Sequence, residues 1–174
     1  MDNGNEKNGF FKPCQGTGDC GMTDLLGGRQ VSKTHNVIKL NAALDDLNSF
    51  LGLLRADIGK KQAKNEEKNK IPQEIYEIQR IIMKISAKNA GMDIDICPDI
   101  DTIIKKTVEL NRKAVPPKEF VVPGSNTEEA LAHIARTRTR LCEIHAWETG
   151  EKDCAVFLNR LSDYLFILGI FLRN

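Results

Sequence analysis

Two parts of the chain carry residues suited to binding phosphate, and they lie far apart in the sequence. In the stretch 16–21, glycines alternate with polar residues, so that successive backbone N–H groups can form an anion-binding nest. Thr17, Asp19 and Thr23 can orient a phosphate or its magnesium ion, and Lys33 adds a positive charge shortly downstream. This is not a Walker loop, because the closing Gly-Lys-Ser/Thr is missing. Taken alone, the stretch could equally be a glycine-rich tail.

The second part is a cluster on a predicted helix near the C-terminus. Arg136, Arg140 and Glu143 are spaced i, i+4 and i+7, so they project from one helix face. Two guanidinium groups can bind the oxygens of a triphosphate, and the carboxylate can orient a metal ion or an arginine. The same spacing also fits an exposed face of ordinary i,i+4 ion pairs. Together the two parts indicate a nucleotide site on helices.

The elements that must position these residues are helices. From Val37 onward, leucines recur at alternating steps of four and three, which predicts an amphipathic helix to about Gly59. A lysine-rich connection over 60–70 is then predicted, because it contains almost nothing apolar. Further helices are predicted from about Ile75 to Asn89 and over 99–112, 127–148 and 153–172. The third of the predicted helices is expected to bury Ile100, Ile103, Ile104 and Val108.

No sustained period-two run predicts a strand, so the chain is predicted to be all-α, a five-helix up-and-down bundle with a glycine-rich N-terminal loop. The predicted organisation is a flexible N-terminus at 1–13 and one domain at 14–174. Within that domain, 14–35 is the predicted nucleotide loop and 36–174 holds the helices. The longest apolar run, Tyr164 to Leu172, is shorter than the roughly 20 residues of a membrane helix, so no membrane span is expected.

Composition narrows the function further. The 174 residues include 25 basic and 24 acidic side chains, and a net charge of +1 argues against nucleic acid as a partner. Five scattered cysteines and a polar, acid-containing start favour reduced thiols and a cytoplasmic location. Cys142 and His145 have ligand-like spacing, but no second pair completes a zinc site, so no directly bound metal is predicted. His133 is interpreted as a packing histidine with its hydrogen bonds satisfied.

Three segments, in order and spacing, resemble the PduO-type ATP:cob(I)alamin adenosyltransferases. The stretch 120–125 resembles that family's Phe-x-x-Pro-Gly-Gly, and the helix after it resembles Ala-Arg-x-x-x-Arg-Arg-x-Glu-Arg at Arg136, Arg140 and Glu143. The closing stretch 159–166 matches almost in full. The opening, Thr-Lys-x-Gly-Asp-x-Gly-x-Thr with a later lysine in the family, is matched at Gly18, Asp19, Gly21, Thr23 and Lys33.

The resemblance implies transfer of the 5′-deoxyadenosyl group of ATP to cob(I)alamin, with release of triphosphate. Phe120 would pack against the lower face of the corrin and displace the axial ligand of cobalt. Arg140 would act in catalysis and also bind ATP, and magnesium would be carried by the phosphates with Glu143 as a further contact. The other ATP-binding residues implied are Thr17, Gly18, Asp19, Gly21, Thr23, Lys33 and Asn159.

The resemblance also implies an assembly. Asp45 lies in a segment similar to the family's Asp-Glu-Leu-Asn-Ser, and it would pair with Arg136 of a neighbouring subunit in a homotrimer. Both would then belong to the catalytic set at a subunit interface. A reductase and an adenosylcobalamin-dependent enzyme are the implied protein partners.

The chain also departs from the family pattern. Gln15 and Gly16 stand where the family has a threonine and a basic residue, and Leu141 and Ile144 replace arginines. Each lost guanidinium removes charge and hydrogen-bond donors from a phosphate site. Two functions therefore stay open: the adenosyltransferase itself, and a catalytically impaired relative that binds ATP or cobalamin as a carrier or sensor. A plain helical interaction module would require the three matched segments to be coincidental.

Overall fold

The computed structural model describes residues 16, 18–60 and 66–173, and in them it contains five helices and one small sheet. The helices are α1 (Asn36–Gly59), α2 (Glu66–Asn89), α3 (Cys97–Asn111), α4 (Thr127–Thr149) and α5 (Lys152–Leu172). The predicted five-helix bundle is confirmed, and the predicted helix ends are close for all helices except the start of α2. Gln15, Thr17 and the predicted flexible segment 1–13 lie outside the described residues.

A hairpin precedes the bundle, where the sequence predicts only a loop. Strands β1 (Met22–Asp24) and β2 (Gln30–Ser32) pair antiparallel, with Thr23 opposite Val31. Each strand has three residues, too few for a period-two pattern to show in the sequence. Val31 is buried, so the hairpin is attached to the body of the molecule.

The core follows the predicted periodicity. The α1 stripe from Leu40 to Leu54 is fully buried, and α1 packs against both α2 and α4. Helix α5 packs against α4 and α3 and buries Phe157 and Tyr164 completely. By length and composition alone, α5 is the one helix of the described chain that could cross a membrane, but 67% of that stretch is buried inside the bundle. It is the core helix of this fold.

Helix α2 starts earlier than predicted. The lysine-rich stretch was expected to remain a connection through Lys70, but the helix begins at Glu66 and Pro72 lies inside it. Glu66 and Glu67 place negative charge at the helix N-terminus, where the helix dipole favours it. Glu67 also pairs with Lys70 one turn on, at 2.8 Å. The charges that looked like a solvated linker therefore stabilise the first turn of a helix.

Ion pairs join α2 to α3, and we call this contact the α2–α3 seam. It runs antiparallel and consists of the pairs Glu67–Lys113, Glu77–Lys106 (3.2 Å) and Lys84–Asp99 (3.1 Å). The apolar face that α3 packs against the core is narrower than predicted. Ile103 is buried as expected, whereas Ile104 and Val108 are 41% and 47% exposed.

Candidate active site

The glycine-rich turn and Lys33 lie together, as the sequence predicts. The turn is closed by bonds from the Asp19 N–H to the Gly16 carbonyl (3.0 Å) and from the Gly21 N–H to the Gly18 carbonyl (3.2 Å). The hairpin returns the chain so that the Lys33 N–H reaches the Gly21 carbonyl at 2.8 Å. A methyl group at Gly18 would stand 2.6 Å from Lys33 Nζ, so the end of the lysine side chain lies against the Gly18 backbone.

The backbone conformation of this turn favours glycine at one position. Gly21 has a φ of +77°, a left-handed conformation that other residues adopt only with strain. The side chains of Asp19 and Lys33 are exposed and form no hydrogen bond or ion pair within the described residues. Thr23 lies in β1, next to the turn. The turn therefore presents a lysine and a carboxylate at one place, while its own N–H groups at Asp19 and Gly21 are bonded within the turn.

The predicted α4 cluster is also without internal partners. Arg136, Arg140 and Glu143 form no ion pair with one another or with any other described residue. Arg138, on the same helix, behaves differently: it pairs with Asp46 at 3.1 Å and its guanidinium lies 5.4 Å from the Phe50 ring centre. The alternative interpretation, an ordinary face of i,i+4 ion pairs, is therefore wrong for this cluster.

Arg136 and Arg140 line a groove of about 400 Å³ between α3, α4 and α5, which we call the arginine groove. Ser162 and Asp163 of α5 line it from one side, and Val108 of α3 from another. Val108 is exposed because its side chain forms part of the groove wall. The Nε atom of Arg136 is buried and has no hydrogen-bond partner in the described residues.

A second cavity lies beside Phe120, and we call it the Phe120 cavity. Phe120 is completely exposed, at 102% of its reference area, and it lines an open space of about 770 Å³ together with residues of 117–121 and Phe166. Phe166 also lines the arginine groove, so the two spaces meet at this ring. An exposed aromatic ring at an open apolar cavity is suited to the flat face of a large ligand.

Phe166 is a site residue that the sequence reasoning missed as such. It lies seven residues after Asn159 and four after Ser162, and that spacing turns it away from the buried stripe of Leu161 and Leu165. The signal was therefore present as helix periodicity. Asn159 itself is partly exposed and its side chain has no partner among the described residues.

The structure does not bring every predicted site residue into one cavity. Glu143, Asn159 and Lys33 line neither the arginine groove nor the Phe120 cavity. Asp45 is exposed on α1, and no contact joins it to Arg136 within this chain. The residues therefore form separate parts of a site within one protomer.

The two residues with ligand-like spacing, Cys142 and His145, have different surroundings. Cys142 is fully buried, and burial raises the pKa of its thiol to about 12, so it stays protonated at neutral pH. Its predicted structural role fits this burial. His145 instead lies 2.9 Å from Glu148 on the surface of α4. Within the described residues, no group of three or more histidine, cysteine, aspartate or glutamate side chains is placed to hold a metal ion.

His133 is only partly as predicted. It is a buried packing residue, but neither ring nitrogen has a hydrogen-bond partner among the described residues, so the expectation that it is satisfied is wrong. Burial lowers its pKa, and the ring is therefore neutral at pH 7. A buried, neutral imidazole without hydrogen bonds lowers the stability of the fold.

Comparison with known proteins gives a family match over most of the chain. Residues 14–172 match the family model for cobalamin adenosyltransferases. A corrinoid adenosyltransferase of Mycobacterium leprae is 30% identical over 165 residues, covering 88% of this chain and 86% of that protein. One of Citrobacter freundii is 29% identical over 166 residues, covering 88% and 90%.

The fold is also found among solved structures. A PduO-type ATP:corrinoid adenosyltransferase of Lactobacillus reuteri, solved as a phenylalanine-to-histidine variant with cobalamin and ATP, has a TM-score of 0.81. The match covers 93% of this chain and 91% of that one at 22% identity. The extent of the family match, together with these relatives, establishes that the chain belongs to the cobalamin adenosyltransferase family.

Proposed function

We propose that this protein transfers the 5′-deoxyadenosyl group of ATP to cob(I)alamin, giving adenosylcobalamin and triphosphate. The observation that carries the proposal is the set of predicted site side chains without partners. Lys33, Arg136, Arg140 and Asn159 are unpaired in the described part of a chain that pairs charges along its α2–α3 seam. Charged groups held without a partner are suited to bind an anionic ligand.

In this reaction the protein forms no covalent bond to either substrate. The cobalt of cob(I)alamin attacks C5′ of ATP, so a cobalt–carbon bond forms while the C5′–oxygen bond to triphosphate breaks. The electron pair of the broken bond leaves with triphosphate. The protein positions the two substrates and stabilises the charge that grows on the leaving group.

The nucleotide residues divide between the turn and α4. Lys33, Arg140 and Asn159 hold ATP, and Arg140 donates to the oxygens of the leaving triphosphate. Magnesium is carried by the phosphates, with Glu143 as a further contact. The turn at Gly18, Asp19, Gly21 and Thr23 closes over the phosphates beside Lys33, and Thr17 remains a predicted member of this set. In this proposal 14–35 and 36–174 work as one domain.

Phe120 is proposed to act on the cobalamin side. Its ring projects into an open cavity that is large enough for part of a corrin and that continues into the arginine groove at Phe166. A ring packed on the lower corrin face excludes the axial ligand and keeps cobalamin four-coordinate. Reduction to the nucleophilic cob(I) state then becomes feasible.

The site is proposed to be completed by a second copy of the chain. Within the described residues, Asp45 is exposed without a side-chain partner and Arg136 is unpaired, which supports a pair between them across the interface of a homotrimer. Both residues then act at the junction of two subunits. We further propose a cytoplasmic location, with a reductase supplying the electron and an adenosylcobalamin-dependent enzyme receiving the product.

An anaerobic adenosylation assay tests the function. Purified protein, MgATP and chemically reduced cob(I)alamin are mixed, and loss of the cob(I)alamin spectrum is followed together with the appearance of light-sensitive adenosylcobalamin. ATP-dependent product is the expected result. Absence of product, with measurable binding of ATP or cobalamin, would instead indicate a carrier or sensor.

The substitution at Leu141 separates these two functions. Leu141 is 40% exposed on α4, so an arginine fits there without disturbing the core. If the protein is an enzyme weakened by the lost guanidinium, Leu141→Arg raises turnover severalfold. If neither form turns over, the carrier or sensor is favoured. Ile134→Arg is the matched control, because it adds the same charge at another exposed apolar position of α4.

A further inference from the structure

A buried carboxylate holds the loop that follows Phe120. Glu129, in the first turns of α4, has no exposed surface. Its Oε2 atom accepts hydrogen bonds from the backbone N–H of Gly124 at 2.7 Å and of Ser125 at 3.0 Å. Gly124 has a φ of +120°, so the chain makes a sharp turn at this point. The turn is therefore fixed to the helix by a charged acceptor, the stronger kind of hydrogen bond.

This carboxylate is not needed to start the helix. Asn126 already caps α4, since its Oδ1 accepts from the Glu129 N–H at 2.9 Å. The Asn126 Nδ2 also donates to the Leu172 carbonyl at 2.9 Å, which ties the start of α4 to the end of α5. The contacts of Glu129 are thus directed at the loop, in addition to a complete helix cap.

The other oxygen of Glu129 faces His133. The Glu129 Oε1 atom lies 3.4 Å from His133 Nε2 without the alignment of a hydrogen bond. Glu129 Oε1 and both ring nitrogens of His133 lack hydrogen-bond partners in the described residues. Leaving such atoms buried and unpaired costs stability. Residues chosen only for stability would not carry this cost, since apolar side chains of similar shape would avoid it.

His133 in turn supports the far wall of the site. A methyl group at Gly169 would stand 2.8 Å from His133 Nε2, so α5 and the imidazole are in close contact. The His133 ring meets the ring of Phe166 edge-on, with 6.0 Å between centres and 61° between planes. Phe166 is the ring shared by the arginine groove and the Phe120 cavity.

We infer that Glu129 and His133 are a positioning pair for cobalamin: Glu129 fixes the loop that carries Phe120, and His133 supports Phe166, the second aromatic ring of the Phe120 cavity. The inference rests on the proposed function and deepens it, because it assigns two buried residues to the cobalamin half of the site. Neither residue touches a substrate. They hold in place the two aromatic rings that line the cavity proposed for the corrin.

The test compares the two substrates. Glu129→Ala removes the acceptor, and it is expected to raise the cobalamin dissociation constant about tenfold, the loss of roughly one or two charge-assisted hydrogen bonds. The dissociation constant for MgATP is expected to change less than about twofold, since the phosphate-binding residues lie elsewhere. Glu129→Gln keeps a carbonyl oxygen for the two N–H groups and is expected to restore most of the affinity, leaving about a threefold loss.

A structural readout accompanies the binding measurement. Hydrogen exchange of the amides of Gly124 and Ser125 is expected to quicken about tenfold in Glu129→Ala, while exchange in α1 and α2 stays unchanged. Glu148→Ala is the matched control, because Glu148 belongs to an exposed histidine–glutamate pair on the same helix. It is expected to alter neither dissociation constant. Should Glu129→Ala fail to fold, Glu129→Gln carries the test.

The outcomes separate this inference from the proposed function. Wild-type protein that binds cobalamin, with both Glu129 variants binding it equally well, would overturn the positioning pair and leave the function standing. Equal losses for cobalamin and MgATP would also overturn it, since they would show general damage. Wild-type protein that binds no cobalamin would overturn the function first, and the inference with it.

Discussion

The α2–α3 seam and the arginine groove use charged side chains in opposite ways. Along the seam, Glu77 meets Lys106 and Lys84 meets Asp99, so each charge has a partner within the chain. In the groove, Arg136 and Arg140 have none among the described residues. Exposed pairs add a little stability, whereas the two groove guanidinium groups gain no ion pair among the described residues. The seam thus serves the fold, whereas the charges of the groove are left for a ligand or another subunit.

The sharpest test of this comparison is removal of Arg140. Without its guanidinium, the leaving triphosphate loses charge-assisted donors, and kcat/KM for MgATP is expected to fall about 100-fold or more. Steady-state adenosylation kinetics measure the effect. Arg138→Ala is the control on the same helix, since Arg138 is already paired with Asp46, and it is expected to change kcat/KM less than about threefold. Equal effects of the two variants would break the comparison.

A charge reversal at Asp45 tests whether Asp45 and Arg136 meet at a subunit interface. Asp45→Arg would place like charges opposite each other and is expected to weaken subunit association about 30-fold. Size-exclusion chromatography with light scattering across a concentration series measures it. Adding Arg136→Asp is expected to restore part of the association. Glu77→Lys, a reversal on the seam, should leave the oligomer intact; dissociation by that control would remove the distinction.

Phe120 extends the comparison from charges to apolar surface. Because its ring is completely exposed, Phe120→Ala is expected to change the free energy of unfolding by less than about 0.5 kcal/mol. The cobalamin dissociation constant is expected to rise about tenfold, because the ring is lost from the binding surface. Thermal melts and spectrophotometric titration measure the two quantities. Val122→Ala removes exposed apolar surface from the same loop as a control, and a loss of cobalamin affinity equal to that of Phe120→Ala would contradict the assignment.

The smallest expected effect is a change in the pH dependence of the melting temperature when Glu67 of the α2–α3 seam is replaced. Hydrogen bonds from Lys113 and Lys70 lower the pKa of Glu67 from 4.5 to about 2. A lowered folded-state pKa gives stability that is present above pH 4.5 and is lost as the pH falls toward 2. Glu67→Gln is therefore expected to flatten the decrease of melting temperature over that range, with activity at neutral pH unchanged. Glu66→Gln should keep the wild-type slope, and a flattened slope in this control would contradict the assignment to Glu67.

The parts of the fold that the sequence predicts are those with a long repeat. The leucine stripe of α1 extends over several turns, and one buried face is enough to predict such a helix. The hairpin has too few residues for any repeat. At the start of α2, Glu67 pairs with Lys70 and Lys113. The second pair joins distant parts of the chain, and spacing along the sequence does not reveal such a contact.

The site divides in the same way. Lys33 and Gly18 were predicted as one unit from their motif, and the structure brings them together. Sequence position alone does not distinguish Glu129, because an acid in a first helix turn ordinarily lies in solvent near the positive end of the helix dipole. Its burial depends on the loop folding back over α4, which no local pattern encodes. The pairing of Asp45 with Arg136 depends on a neighbouring subunit and stays a prediction.

The hairpin before α1 allows its tip to change in length without moving Lys33. Its tip is closed by bonds between Leu25 and Arg29 (2.8 Å) and between Gly28 and Leu25 (3.1 Å), and both Gly27 and Gly28 are exposed. Residues added at this tip would extend into solvent while the paired strands keep their register. The tip is accordingly a place where relatives can vary in length, and where a fluorescent label could report on nucleotide binding without displacing the lysine.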